Sequence, residues 1–303
     1  MKKTFYSNGK LLLTGEYTVL DGAKALALPT KYGQYLHITP SDSKTIKWKS
    51  LDADNSIWYE NEIAISDIVN NIITSDNSVT QTLITILHEA HTGNPSILKN
   101  SNGFTITTEL TFPKHWGLGT SSTLINNIAQ WFSIDAYQLL WKSFGGSGYD
   151  IACAQHNTPI IYQIVNNKPV VTPVSFIPDF TDKLYFVYLN QKQNSRSAII
   201  SYRENKSDIS NTVAFINTTT ETLLTSETVN EFALLLEKHE TVMSPILNTE
   251  TVKEVRFSDF NGILKSLGAW GGDFILAIAK DNPITYFKDK GYTTIIPYKD
   301  MIL

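Results

Sequence analysis

Residues 115–132, HWGLGTSSTLINNIAQWF, set Gly117, Leu118 and Gly119 and then the hydroxyl residues Thr120, Ser121 and Ser122 directly ahead of an apolar, helix-like run. A tight turn needs one glycine, and a helix cap needs one Ser or Thr. The surplus suggests backbone N–H groups and hydroxyls aimed at an anion, which at a helix N-terminus is most often a phosphate. Glycines at 117 and 119 let the backbone approach such a group with no Cβ in the way. Taken alone, the same residues also read as a turn followed by a cap. They are not a Walker A loop, because no Gly-Lys-Ser/Thr follows a four-residue gap. Nor are they the dinucleotide fingerprint, whose third glycine is missing.

Two further small-residue loops follow. GGSGYDIACAQ begins at Gly145 and carries Asp150 ahead of Cys153, and GAWGGDFILAIA begins at Gly268. Singly, the first reads equally as a connector and the second as a turn before a buried strand.

The elements around these loops are legible in outline. GFTITTELTF alternates over residues 103–112, the pattern of a half-buried strand, and Pro113 ends it, so the glycine-hydroxyl loop joins a strand to a helix. SVTQTLITILHEAHTG and SIDAYQLLWKSF carry helical apolar faces, and residues 222–247 read as helical. Near the N-terminus the spacing predicts a short strand, a turn at Asn8-Gly9 and a second strand from Lys10 to Leu13. PIIYQIV and KPVVTPV read as a strand pair, and the Asn-, Ser- and Thr-rich residues 204–220 as the least structured segment. His239 is expected half-exposed on its helix, and Cys153 is expected to pack rather than react. The mixed order of elements predicts an α+β fold.

Composition narrows the function. The 303 residues are 42% hydrophobic with a net charge of −4, so the chain is globular and nucleic-acid binding is disfavoured as its main activity. One cysteine excludes an intrachain disulfide and a multi-cysteine zinc site. The opening MKKTFYSNGKLLLTGEY has too short an apolar run for a signal peptide, and no stretch approaches a transmembrane helix, so a cytoplasmic protein without membrane attachment is expected.

Taken together and in order, SNGKLLLTGEYTVLDG, PKHWGLGTSSTL, GGSGYDIA and SLGAWGGDFILA resemble the motifs of the GHMP kinase superfamily, over residues 7–275. GKLLLTGEYTVLDG, GSGYDIA and GAWGGD are most similar to the phosphomevalonate kinase branch, with mevalonate kinases next. The resemblance implies a two-domain fold, with a ribosomal-protein-S5-like domain over residues 1–168 and a ferredoxin-like α/β sandwich over 169–303. It also implies ATP and Mg²⁺ as cofactors and transfer of the γ-phosphoryl group to a small acidic metabolite, phosphomevalonate first. A mevalonate or sugar kinase, or a non-catalytic nucleotide- or metabolite-binding member, stands as the alternative. A homodimer is compatible with the resemblance.

Residue by residue, it implies Asp150 as catalytic base, Lys10 as its electrostatic partner, residues 117–122 as the phosphate cradle and Ser121 as a magnesium ligand. Glu16, Tyr17, the Ser147-Gly148 step, Arg196, Gly271 and Gly272 fall where the acceptor would be held. Arg196 can clamp an anion bidentately or stand as a surface arginine. Three departures bear on activity. Trp270 stands for a glycine, where its ring either blocks a substrate or walls it. His115-Trp116 replace small residues, and Leu139 stands where mevalonate kinases carry a metal-binding Glu.

Overall fold

The computed structural model describes residues 2–193, 195–204 and 209–303, with the side chains of 195 and 196 outside that description. It is a mixed α+β structure, and the chain divides into two compact units, each discontinuous in sequence. The first comprises Met1–Gly9, Tyr32–Lys114 and Leu118–Gln155; the second comprises Lys10–Lys31, His115–Gly117 and His156–Leu303. No helix of the described residues is long and apolar enough to cross a membrane.

In the first unit a sheet runs in the order β4 (Ile57–Ala64), β3 (Thr45–Leu51), β5 (Phe104–Leu110) and the second half of β2 (Ala25–Pro40). β3 pairs with β5 in parallel, Ile46 opposite Phe104, and β5 with β2 antiparallel, Leu110 opposite Gln34. Along β5 the expected alternation is present, with Phe104, Ile106, Thr108 and Leu110 turned inward. Helices Ser78–Gly93, Thr120–Phe132 and Ala136–Ser143 close the core over this sheet. Leu83, Leu87, Ile125, Ile128, Phe132 and Leu140 pack there with Leu36, Trp48 and Ile106. Asn77 and Asp135 cap the first and third of these helices, each side chain accepting two backbone N–H groups.

In the second unit the start of β2 pairs with β6 (Ile160–Val165), and β6 turns back on β7 (Lys168–Pro173). Asn166 and Asn167 both hold positive φ between them, the geometry of a tight hairpin turn. A separate antiparallel sheet has the order β11 (Ile295–Pro297), β8 (Leu184–Tyr188), β10 (Phe274–Ile278), β9 (Ile263–Ser266). All five residues of β10 are buried, as a continuous apolar run requires when both faces are covered.

Two expectations are corrected. There is no turn at Asn8-Gly9, because β1 is one strand, Lys3–Leu12. Asn8 and Gly9 are buried within the strand, and the neighbouring Ser7 donates to Asn127 at 2.8 Å inside the unit. Within 204–220, Ser210–Leu223 is a helix. Ile216, Thr219, Thr220 and Leu223 recur at three- and four-residue spacing and are all buried, and that packing outweighs a weakly helical composition.

Candidate active site

The glycine-hydroxyl loop answers its own surplus. Gly117 and Gly119 take φ of +71° and +97°, and Gly119 is the N-cap of helix Thr120–Phe132. The Gly119 carbonyl accepts the Thr123 N–H at 3.0 Å and the Ser122 hydroxyl at 3.0 Å, and Thr123 Oγ1 lies 2.9 Å from it. Ser122 and Thr123 are buried, and Thr123 also lies 2.9 Å from Gln34 Oε1, so this pair locks the loop from behind. Leu118 is 0% exposed and anchors the loop in the apolar interior. No side chain caps the helix, and among the described residues the half-buried hydroxyls of Thr120 and Ser121 have no partner. Two hydroxyls therefore hold the loop, and two remain at the positive end of a thirteen-residue helix.

Asp150 lies in the same unit, half-buried in the first turn of helix Tyr149–Gln155, where it accepts the Ile151 N–H at 3.1 Å. That helix is tied to the loop helix: Gln155 donates to Asn126 Oδ1 at 2.9 Å, and Ile151 joins Ile125 and Ile128 in one core. Burial raises the pKa of the neighbouring Tyr137 phenol, with the charges of Cys153, Asp135 and Asp150 adding to the effect. The loop before Asp150 turns through Gly145, Gly146 and Gly148, all at positive φ. Position 148 has no side chain to offer a substrate, and Ser147, the serine of this loop, is buried. Cys153 is buried, as packing requires.

The second unit carries Lys10, Glu16, Tyr17, Gly117, Gly271 and Gly272. Lys10 Nζ donates to the Gly117 carbonyl at 2.8 Å. Gly271 has its carbonyl held by Arg256 at 3.0 Å, and a Cβ at Gly272 would lie 2.6 Å from the Gln191 carbonyl oxygen. Arg256 was not anticipated. Trp270 is 5% exposed and packs with Ala23, Ile216 and Met243 against Tyr17, so its ring belongs to an apolar cluster of this unit. Tyr17 is half-buried with φ +60° and ψ −48°, values that an L residue adopts only under local constraint. His115 and Trp116 pack on the second sheet, where the Tyr188 hydroxyl donates to the His115 carbonyl at 3.1 Å and Trp116 meets Phe274 edge-on. The side chain of Arg196 lies outside the described residues.

Glu16 does not face outward. It is 1% exposed and ion-paired with Lys265, which is 0% exposed and also lies 3.1 Å from Glu240. Ser266 donates to Glu240 at 3.0 Å, and the Gly15 N–H donates to His239 Nε2 at 3.3 Å. His239 is therefore fully buried rather than half-exposed. Because its Nε2 accepts that N–H, its 3.3 Å approach to Glu16 is a contact with a neutral ring. Burial raises the Glu16 carboxyl to about 7 against the pull of Lys265, and raises Glu240 in the same direction. Burial, then Lys265, holds His239 well below the usual histidine range. Burial would lower Lys265, but the two carboxylates outweigh it and raise it. The signal in the sequence is a lysine between apolar residues in GILKSLG, a position that burial would forbid to an unpaired ammonium.

No protein-family model matches the sequence, and no curated protein matches it. Solved structures do. Mevalonate kinase from Methanococcus jannaschii superposes with a TM-score of 0.69 at 15% identity, over 98% of this chain and 97% of that one. Phosphomevalonate kinase from Streptococcus pneumoniae, in complex with phosphomevalonate and AMPPNP, gives 0.69 at 17% identity over 95% of each chain. Galactokinase from Lactococcus lactis, complexed with galactose, gives 0.65 at 13% identity over 98% of this chain and 94% of that one. The chain thus carries the two-domain fold of the GHMP kinases and resembles them over nearly its full length.

Proposed function

We propose that the chain is an ATP-dependent small-molecule kinase of the GHMP type, with phosphomevalonate as its acceptor. The observation that carries the reading is the helix start at Gly119: an uncapped N-terminus with two hydroxyls left over, on a helix tied to the one that bears Asp150. Such a start suits the phosphates of a nucleotide. Phosphoryl transfer asks a protein mainly to position reactants and neutralise charge, and these residues supply both means.

In this reading the first-turn N–H groups of 120–122 bind the phosphates. Lys10 offers its ammonium to the phosphoryl group in transit. Asp150 orients the acceptor oxygen and takes its proton where it carries one. The acceptor oxygen forms its bond to the γ-phosphorus as the bond to the β-phosphate oxygen breaks, and ADP leaves with that electron pair. Mg²⁺, a hard cation that favours oxygen ligands, fits the Ser121 hydroxyl; bound there with phosphate, it would offset phosphate charge. Glu16 is turned into the interior, so its part is to hold the Gly15–Tyr17 turn in place.

The choice of phosphomevalonate rests on GKLLLTGEYTVLDG, GSGYDIA and GAWGGD. ADP release with MgATP and mevalonate, phosphomevalonate, homoserine, galactose or shikimate tests it. Release with phosphomevalonate is expected. Release with another of the set would replace the acceptor, and no release with any would remove the kinase reading.

A further inference from the structure

Asp273 closes the GAWGGD loop and has no part in the reading so far. Its backbone is bonded on both sides, and one carboxylate oxygen is bonded as well. The backbone sits at φ +51°, in the left-handed region, and is bonded into place. Its N–H donates to the Gln191 carbonyl at 2.6 Å, its carbonyl accepts the Leu189 N–H at 2.8 Å, and Oδ1 accepts the Gln193 N–H at 3.2 Å. These bonds deliver a carboxylate that is 8% exposed onto the α-carbon of Gly117. A Cβ at position 117 would lie 2.5 Å from its Cγ and 2.6 and 2.7 Å from its oxygens. Lys10 grips the carbonyl of the same glycine at 2.8 Å. An anion and a cation thus bracket one residue.

The bond from Gln193 and the fit against Gly117 ask only for an oxygen and a shape, which an asparagine would supply. A buried negative charge costs free energy unless a cation faces it. Burial raises the Asp273 carboxyl against the pull of Lys10 and, more weakly, of Lys192; among the described residues, Tyr17 and Tyr188 are its other titratable neighbours. Of the two cations, Lys10 is bonded to the very glycine on which the carboxylate rests.

We propose that Asp273 is a positioning residue for Lys10: seated on Gly117, it keeps the ammonium at that glycine's carbonyl and so fixes where Lys10 presents its charge. This deepens the kinase reading and rests on it.

Steady-state kinetics of Lys10→Met, Asp273→Asn and the double variant test the role. Asp273→Asn is expected to lower kcat roughly 10- to 100-fold, as loss of a group that orients a reacting one does. The KM for MgATP should change less than about threefold, because the loss falls on the transition state. In the Lys10→Met background the same substitution should cost nothing more. Additive losses, or a wild-type kcat in Asp273→Asn, would overturn the role.

Thermal melting of Gly117→Ala, Asp273→Ala and their combination tests the seat without any acceptor. Gly117→Ala should lower Tm, and the combination should regain part of the loss. An equal loss in both backgrounds would overturn the seat and the proposal with it. Regained Tm in a protein that turns over no acceptor would leave Asp273 on Gly117 and overturn its role together with the kinase reading.

Discussion

At the scale of single residues, Asp150 and the Glu16–Lys265 pair make opposite demands. Asp150→Asn keeps shape and removes the proposed base, so kcat should fall by roughly 10²- to 10⁴-fold while the fold stands. Stopped assays beside a thermal melt read both. Lys265→Met leaves Glu16 and Glu240 buried with no cation, and should cost about 3–5 kcal/mol of stability by urea denaturation. The same cluster sets a pH dependence. Glu16 is raised from the ordinary 4.5 to about 7, so between those values the folded chain keeps a proton that the unfolded chain has lost. Its contribution therefore falls as pH rises through that window, and Glu240 acts in the same direction. Relative to Glu16→Gln, the wild-type chain should lose of order 1–3 kcal/mol between about pH 5 and 7.5. Urea midpoints at the two pH values check it, and parallel profiles would remove Glu16 as the source.

At the scale of elements, the helix Thr120–Phe132 starts at Gly119 without a side-chain cap, and in the proposed reading its first turn receives the phosphates. Gly119→Val would force an L residue to φ +97° and crowd that turn, so MgATP affinity should be lost in calorimetry. Asn77→Ala, at the start of a helix that serves only the core, should cost about 1 kcal/mol and leave turnover unchanged. The glycine-hydroxyl loop was legible because glycines and hydroxyls have few other reasons to gather before a helix. Which hydroxyls would be spent on the Gly119 carbonyl was not, since that depends on packing against Gln34 from β2. Ser210–Leu223 was obscured because its buried face is half threonine. Lys265, Glu240 and His239 could not be grouped with Glu16 in advance, because their pairing joins positions more than two hundred residues apart in the chain. Asp273 was visible as a letter of GAWGGD, but its place on Gly117 is a fact of the folded chain.

At the scale of the whole molecule, the order of the four motifs carried the fold, while overall identity to the matched structures stays at 13–17%. A fold tolerates wide exchange of apolar residues so long as volume and the alternation of buried and exposed positions are kept. Binding of MgATP to the folded chain alone should raise its Tm, by more as nucleotide concentration rises above Kd. A melt that ignores MgATP would contradict the phosphate cradle. The central proposal is that a phosphoryl group moves directly from ATP to phosphomevalonate, with Asp150 orienting the acceptor oxygen. ³¹P NMR of MgATP, phosphomevalonate and enzyme follows both substrates and both products in one tube. The account predicts that ADP and a new diphosphate resonance grow at equal rates with the wild-type chain and stall with Asp150→Asn. An unchanged spectrum with the wild-type chain, or equal growth with both proteins, would contradict it.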